Sequence, residues 1–339
     1  MKSIDEKIAQ SEAEWQRYRY ENAGVRESAA RVLKTCLSPG HASNLPRAAV
    51  FFCRAVKKSI GRRAGCLVRN IYPGMKKAAF AASYDADREN IVVSLTSTSD
   101  RIGSIFPTLY SLARQSRRPD LIVLWLGRGG NYPKRIIAGI KALGITVRYV
   151  KDLGPYTKYH YAFEGYKKDV VITVDDDIIY HRNMIKELYE THLKHPGQVV
   201  ARRVHRMRFD RNRQPVRYMD WIWECKDSDE PSFDLFATGV GGVLYPPSVT
   251  VLECWKNTDF LRVCPKNDDI WLRFCELANH IRVCAVLRAG TDMDAANLRI
   301  IRPGLSEKNL KDGRNDRYIE ICTEYFGFDG ELCERVLGE

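Results

Sequence analysis

The sequence predicts an α/β protein: a mainly parallel sheet flanked by helices, preceded by a basic helical extension. Two observations predict the sheet. From residue 90 onward, short β-branched apolar runs alternate with amphipathic stretches, and polar loops close those runs. A third observation predicts the extension. Residues 29–84 carry eleven Lys and Arg and no acid, and the remaining chain balances 43 basic against 42 acidic groups. The formal net charge of +12 therefore sits almost wholly in one block.

Residues 1–26 read as a charged helix, and 27–88 as basic helices joined by LSPGHASNLP and NIYPG. NIVVSLTSTSDRI is a strand running into a polar loop, and SIFPTLYSLARQS a helix. LIVLWLG is a second buried strand, KRIIAGIKALG a helix and ITVRYV a third strand. DLGPYTKYHYAFEGYKKD gives a loop and helix before the strand VVITV. Strands alternating with helices at this spacing imply right-handed βαβ crossovers, and ligands of such sheets bind outside the carboxyl ends of the strands. Later elements are less regular. NMIKELYETHLKHP is a helix, QVVARRVHRM a strand, DLFATGVGGVLYPP a Gly-rich strand and turn, NDDIWLRFCELANH a helix with two acids in its first turn, and LKDGRNDRYIEICTEYFG a closing helix. The expected units are 1–88, a helical basic extension; 89–185, the first half of the α/β domain; and 186–339, its second half with C-terminal helices.

Composition bounds the compartment. MKSIDEKIAQSEAEW lacks the apolar run of a signal peptide. The longest uncharged stretch, residues 235–252, holds three glycines and two adjacent prolines and cannot be a spanning helix. Ten cysteines without C-x-x-C spacing favour reduced, mostly buried thiols. The expectation is a cytoplasmic protein. Within the basic block, PRAAVFFCRAVKKSIGRR interleaves apolar and cationic residues, which suits a helix lying on an anionic membrane at the inner face. A plain helical appendage is the competing reading. Nucleic acid is not expected, because no RNP, KH, zinc-finger or helix-turn-helix signature occurs.

VVITVDDDIIY poses the chemical question. Three adjacent carboxylates end an apolar strand with no basic residue among them. Two unit charges about 4 Å apart repel by roughly 1 kcal/mol in water and about 4 at an effective dielectric near 20. Either the acids fray into solvent or something positive sits there. In an extended segment, residues two apart share a face at about 6.6 Å. Asp175 and Asp177 would then reach one ligand while Asp176 points away. Two carboxylates open to solvent suit Mg or Mn, hard ions that complete their shells with phosphate and water. A solvated Asp-rich turn is the competing reading.

IVVSLTSTSDRI, PTLYSLARQSRRPDLIVLWL, DLGPYTKY, VITVDDDIIY, TGVGGVLYPP and NDDIWL, in that order, resemble bacterial GT-A-type glycosyltransferases related to the inverting family 2, enzymes of surface polysaccharide synthesis. The resemblance covers roughly residues 90–320 and implies a GT-A, Rossmann-like fold in which 89–185 is the nucleotide-sugar-binding half and 186–339 the acceptor-binding half. It implies that Asp175 and Asp177 form a D-x-D motif touching the donor's ribose and a divalent metal on its diphosphate, with Asp176 beside them in the donor site. Thr96, Ser97 and Arg101 match the nucleotide-binding loop, and Lys158 stands where it could meet a phosphate, a surface lysine being the alternative. Gly239, Gly241 and Gly242 match the segment near the donor sugar and acceptor, a sharp bend being the alternative. Asp268 and Asp269 match the acidic pair whose second member is the general base in inverting relatives. Glu-Asp is commoner there, and the departure leaves the choice between the two open. Asp269 is preferred because it opens the amphipathic run IWLRFCELANH, where a helix dipole would hold it ionised with a low pKa.

The implied reaction is metal-dependent transfer of a sugar from a nucleotide-sugar donor to a growing lipopolysaccharide- or capsule-type glycan, with inversion. Two rivals stand beside it. A sugar nucleotidyltransferase shares the layout and the acids but would bring a Gly/Arg/Lys-rich phosphate loop, and STSDRIGS offers one Gly and one Arg. A non-enzymatic binding protein would act through the basic segment. No P-loop, G-x-S-x-G or H-E-x-x-H motif occurs, and the seven histidines show no metal-ligand spacing.

Overall fold

Ile91–Ser97 (β1) and Leu121–Gly127 (β2) are buried along their lengths, except for half-buried Thr96, as strands covered by helices on both faces must be. A computed structural model describes residues 80–225, 227–287, 294–295 and 313–328, all within the compact unit Met75–Glu339. β1 pairs in parallel with β2 on one side and with Val170–Thr173 (β4) on the other, and β2 pairs in parallel with Thr146–Val150 (β3). Beyond β4 come Val243–Tyr245 (β9), antiparallel to both neighbours, then Val199–Ala201 (β6) and Val283–Ala285 (β10), parallel to each other. The seven strands run β10-β6-β9-β4-β1-β2-β3. This is the Rossmann-like, mainly parallel α/β fold that the sequence predicts, and one sheet takes strands from both sides of residue 185. Two small ribbons complete the described strands: Ile178–Ile179 (β5) with Asp294–Ala295 (β11), and Val204–Arg206 (β7) with Leu235–Ala237 (β8).

The described helices are Phe106–Ala113 (α1), Lys134–Ala142 (α2), Thr157–Gly165 (α3), Met184–Lys194 (α4), the short turns Pro247–Thr250 (α5) and Phe260–Val263 (α6), Asp268–Ala278 (α7) and Arg314–Tyr325 (α8). Pro107 opens α1, where its missing N–H costs nothing. The order of strands places the site. The chain builds β1, β2 and β3 toward one edge, then returns through α3 to β4 on the opposite side of β1. The carboxyl ends of β1 and β4 lie at that reversal, which is the usual ligand position in open α/β sheets.

Three expectations are revised. QVVARRVHRM is two strands in different sheets, not one. The chain leaves the large sheet at Arg202, whose buried Nε lies 3.1 Å from Glu187 Oε2 of α4. This buried ion pair ties the junction between the two strands to α4. The acids do not alternate either: β4 ends at Thr173, and Asp176 and Asp177 lie in a turn. Finally, residues 80–88, expected to close the helical extension, carry no helix. Phe80 is buried and its N–H donates to Leu143 O at 2.8 Å, while Ser83 N–H donates to Asp120 O at 2.9 Å. The rest of the extension lies outside the described residues.

Candidate active site

A hydrogen-bonded strut first fixes α3 against the sheet. The buried Ser94 hydroxyl of β1 accepts from Trp125 Nε1 of β2 at 2.9 Å and donates to the carbonyl of Lys158 at 2.5 Å. Because a buried hydroxyl satisfied on both sides has one geometry, the first turn of α3 is set relative to the strand ends. Lys158 is thereby directed inward. Its Nζ lies 2.6 Å from Asp175 Oδ1 and 3.8 Å from Asp268 Oδ2. Burial opposes the ammonium charge, but Asp175 and Asp268 outweigh it and raise the pKa above the ordinary lysine value. Lys158 is a buried counter-ion, and no surface lysine.

The other two acids of the run meet Arg101. Its guanidinium pairs with Asp176 Oδ1 and lies 2.9 Å from Asp177 Oδ2. Asp176 also accepts from the Ser97 hydroxyl at 2.5 Å, and its carbonyl accepts from Thr108 Oγ1 at 3.0 Å. The expected outward-pointing residue is thus the most enclosed of the three, with a side chain 7% exposed against 26% for Asp175 and 14% for Asp177. Burial pushes its carboxyl up to about 6, against the pull of Arg101 and Ser97. The positive charge demanded by three adjacent carboxylates comes from two residues remote in sequence. Thr96 donates to Trp125 O at 3.0 Å, so its hydroxyl braces β1 on β2.

The second acid pair begins α7. Asn267 caps this helix, its side chain accepting from Ile270 N–H at 3.1 Å and donating to Asn315 Oδ1 of α8 at 2.8 Å. The Tyr156 hydroxyl donates to Asn267 O at 3.0 Å. With its N-terminus anchored from two elements, α7 presents Asp268 to Lys158 and Asp269 to the backbone of Gly239, whose N–H donates to Asp269 Oδ1 at 3.0 Å. A Cβ on Gly239 would stand 3.2 Å from that oxygen, so the absent side chain permits the approach. Gly242 faces elsewhere. Its Cβ would meet Met184 Sδ of α4 at 3.1 Å, and its φ of 98° belongs to a turn open to glycine. Gly241, at φ 104°, shares that turn.

The expected low pKa of Asp269 is overturned. Burial first, then the neighbouring Asp268 charge, push it up to about 8, although Lys158 and the Gly239 N–H pull down. Asp268 is raised too, burial prevailing over the pull of Lys158. A helix N-terminus is worth about 0.3–1 kcal/mol to a nearby anion, too little against burial beside a second carboxylate.

Two tyrosines not singled out in the sequence complete the surroundings. Burial, then Asp268 and Asp269, raise Tyr159 well above an ordinary phenol, and burial with Asp269 does the same to Tyr218. Both hydroxyls stay protonated beside the acids. YTKYHY placed Tyr159 one residue from Lys158, a usable hint; nothing local linked Tyr218 to Asp269. Away from this site, His195, Asp229 and Glu230 bring ligand atoms within 4.8 Å of one another, and Lys194 Nζ lies 3.4 Å from Asp229.

No family model and no curated protein sequence matches the chain. Among solved structures it is similar to S. aureus TarS 1–349 in complex with UDP, at 15% identity and a TM-score of 0.38, covering 57% of this chain and 57% of that one. S. aureus TarS is also similar at 15% identity and a TM-score of 0.40, where the match covers 57% of this chain and 35% of that one. A 4-diphosphocytidyl-2C-methyl-D-erythritol synthase is similar at 12% identity and a TM-score of 0.38, over 69% of this chain and 99% of that one. The match thus spans between about a third and three-fifths of the TarS chains.

Proposed function

We propose that this chain is a nucleotide-sugar-dependent glycosyltransferase that moves a sugar, with inversion, onto a growing surface glycan. The observation that carries this reading is the pairing of two separate carboxylate groups, Asp175–Asp177 and Asp268–Asp269, around one buried cation, Lys158, beside the point where the strand order reverses. One group suits a donor and the other an acceptor. A sugar hydroxyl, with a pKa far above neutrality, gains from a positioned base in the transition state. A phosphate nucleophile, as in nucleotidyl transfer, is already an anion near pH 7 and needs none. The second acid pair therefore favours transfer to a hydroxyl.

The roles follow from position. Arg101 and Ser97 hold Asp176 and fix the loop after β1, where a nucleotide would lie. Asp175 and Asp177 are partly exposed hard oxygen donors that fit Mg or Mn, with a diphosphate and water supplying further ligands. When bound, such an ion stabilises the charge on the departing diphosphate. Asp269, fixed by Gly239, accepts the proton of the acceptor hydroxyl as that oxygen bonds to the anomeric carbon. The bond from that carbon to the nucleoside diphosphate breaks, and the electron pair leaves with the diphosphate. Asp268, held by Lys158, raises the pKa of Asp269 and so strengthens it as a base. Tyr159 and Tyr218 wall the acid pair from water. The acceptor is a glycan or glycolipid, and the basic block at 29–84 argues for work at the inner membrane face. Among the described residues, no helix is long and apolar enough to cross a membrane.

The test is product chemistry. Purified protein with Mn should release nucleoside diphosphate from a panel of nucleotide sugars, and Asp177→Asn should abolish metal-dependent donor binding in calorimetry. Pyrophosphate release from a nucleoside triphosphate and a sugar phosphate would establish nucleotidyl transfer instead. No turnover of either kind would leave a binding protein.

A further inference from the structure

Two large apolar side chains are held in water on a rigid base. Met219 and Ile222 are 59% and 52% exposed. Between and beside them Tyr218 and Trp221 are buried, with rings 4.7 Å apart. Tyr218 N–H donates to Asp316 Oδ1 of α8 at 2.6 Å, and Trp221 Nε1 donates to Val216 O at 3.0 Å. Ile222 also exchanges two backbone hydrogen bonds with Arg206, at 2.8 and 3.0 Å. The outward pair is thus fixed by its inward neighbours, and an exposed apolar pair on a fixed scaffold marks an interaction surface.

The same segment is cationic. Residues 208–222 contain four arginines and two aspartates, and Arg206 just before them is paired with Asp227 and Asp234. Asp210 accepts from Asn212 N–H and Gln214 N–H at 2.8 and 2.9 Å, closing a hairpin, and Asp220 accepts from Arg217 Nε at 2.9 Å. Arg208 Nη1 reaches the carbonyl of Asp220 at 3.4 Å, so Arg208 and Arg217 converge on the residue between the two apolar side chains. Exposed Arg211 and Arg213 extend the charge to the hairpin tip.

We propose that this amphipathic hairpin, with Met219 and Ile222 at its centre and Arg208, Arg211, Arg213 and Arg217 around them, docks the folded domain on an anionic lipid surface. An anionic headgroup layer over hydrocarbon is the partner that uses both halves: guanidinium groups lie among the headgroups while the two apolar side chains enter the interface. A soluble polyanion would use the arginines alone, and an apolar protein surface would use Met219 and Ile222 alone. The surface is separate from residues 29–84. The inference goes beyond the proposed reaction, and vesicle binding tests it whichever group is transferred.

The full chain is titrated with vesicles of phosphatidylcholine and phosphatidylglycerol and scored by flotation, with the thermal transition checked for each variant. Met219→Asp with Ile222→Asp, and separately Arg211→Glu with Arg213→Glu, should each lower the partition coefficient roughly tenfold or more. Tyr149→Asp, an exposed position on β3 at the opposite edge of the sheet, should leave it unchanged. Binding by the native chain should weaken as salt rises. Partitioning of both double variants equal to that of the native chain overturns the proposal. So does retained vesicle binding with lost binding to soluble alginate, which would assign the patch to an anionic polymer. Retained vesicle binding with loss of a native dimer by Met219→Asp and Ile222→Asp would assign it to a second copy of the chain.

Discussion

Lys158 Nζ lies 2.6 Å from Asp175 Oδ1 and 3.8 Å from Asp268 Oδ2, so one buried ammonium joins the two carboxylate groups. Its own backbone carbonyl is tied through Ser94 to Trp125, which leaves the charge little freedom to move. Removing one partner of a buried ionic cluster leaves the others uncompensated, commonly at about 3–5 kcal/mol. Lys158→Met should therefore destabilise the protein by about that much at pH 8 in urea unfolding. The deficit should shrink toward pH 5, because carboxylates that have lost their cation take up protons more readily and so shed their repulsion. An equal deficit at both values would mean that Lys158 acts only by packing.

Asp269 supplies a sharper functional expectation. With its carboxyl pushed up to about 8 by burial and Asp268, it is protonated at low pH and cannot accept a proton there. Transfer measured as kcat/KM should rise with pH through a limb near 8, and Asp269→Asn should remove that limb. Turnover should fall by about 10²- to 10⁴-fold, the usual contribution of a general base. Donor binding in calorimetry should survive, and Asp268→Asn should be milder. Near-normal turnover in Asp269→Asn would end the assignment.

Gly239 and Gly242 should separate function from stability. Gly239→Ala places a methyl 3.2 Å from Asp269 Oδ1 and should push the acid aside, costing up to about 10²-fold in rate with little loss of stability. Gly242→Ala forces a side chain to φ 98° against Met184 and should cost about 1–3 kcal/mol while the surviving folded fraction keeps its specific activity. Thermal unfolding and turnover on the same samples distinguish the two.

His205 gives a pH dependence unrelated to the acids. It is fully buried among Tyr218, Trp223 and Phe236, and its Nδ1 accepts from Glu224 N–H at 3.0 Å, which requires the neutral ring. Burial, aided by Arg203, lowers its pKa to about 4 from an ordinary value of 6.5. Because the folded pKa lies below the unfolded one, stability is complete above about pH 6.5 and falls toward pH 4, by about 3 kcal/mol. His205→Phe should flatten that part of the stability profile in urea titrations. An unchanged slope would place the acid sensitivity elsewhere.

The order of strands and helices from residue 90 was legible because each rests on neighbours a few positions apart. β1 and β2 were readable as continuous apolar runs, and α7 as an acid-led amphipathic stretch. The division of QVVARRVHRM was not legible, because β6 and β7 take different pairing partners, β9 and β8, from further along the chain. The posture of Asp176 was misjudged for a related reason. Alternation of side chains belongs to a strand, and β4 ends before the acids begin.

By itself, the sequence determined that acids stand at the end of a buried strand and at the start of a helix, in a chain built of βαβ units. Both placements follow from local periodicity and capping, which the flanking residues specify. Only the tertiary structure decided that Lys158 serves both acid groups, that Arg101 holds Asp176 and Asp177, and that Asp269 is raised to about 8. Those properties come from burial and from fields of charges brought together from distant parts of the chain. The dipole of the local helix, which is all a sequence can show at Asp269, is the weaker effect.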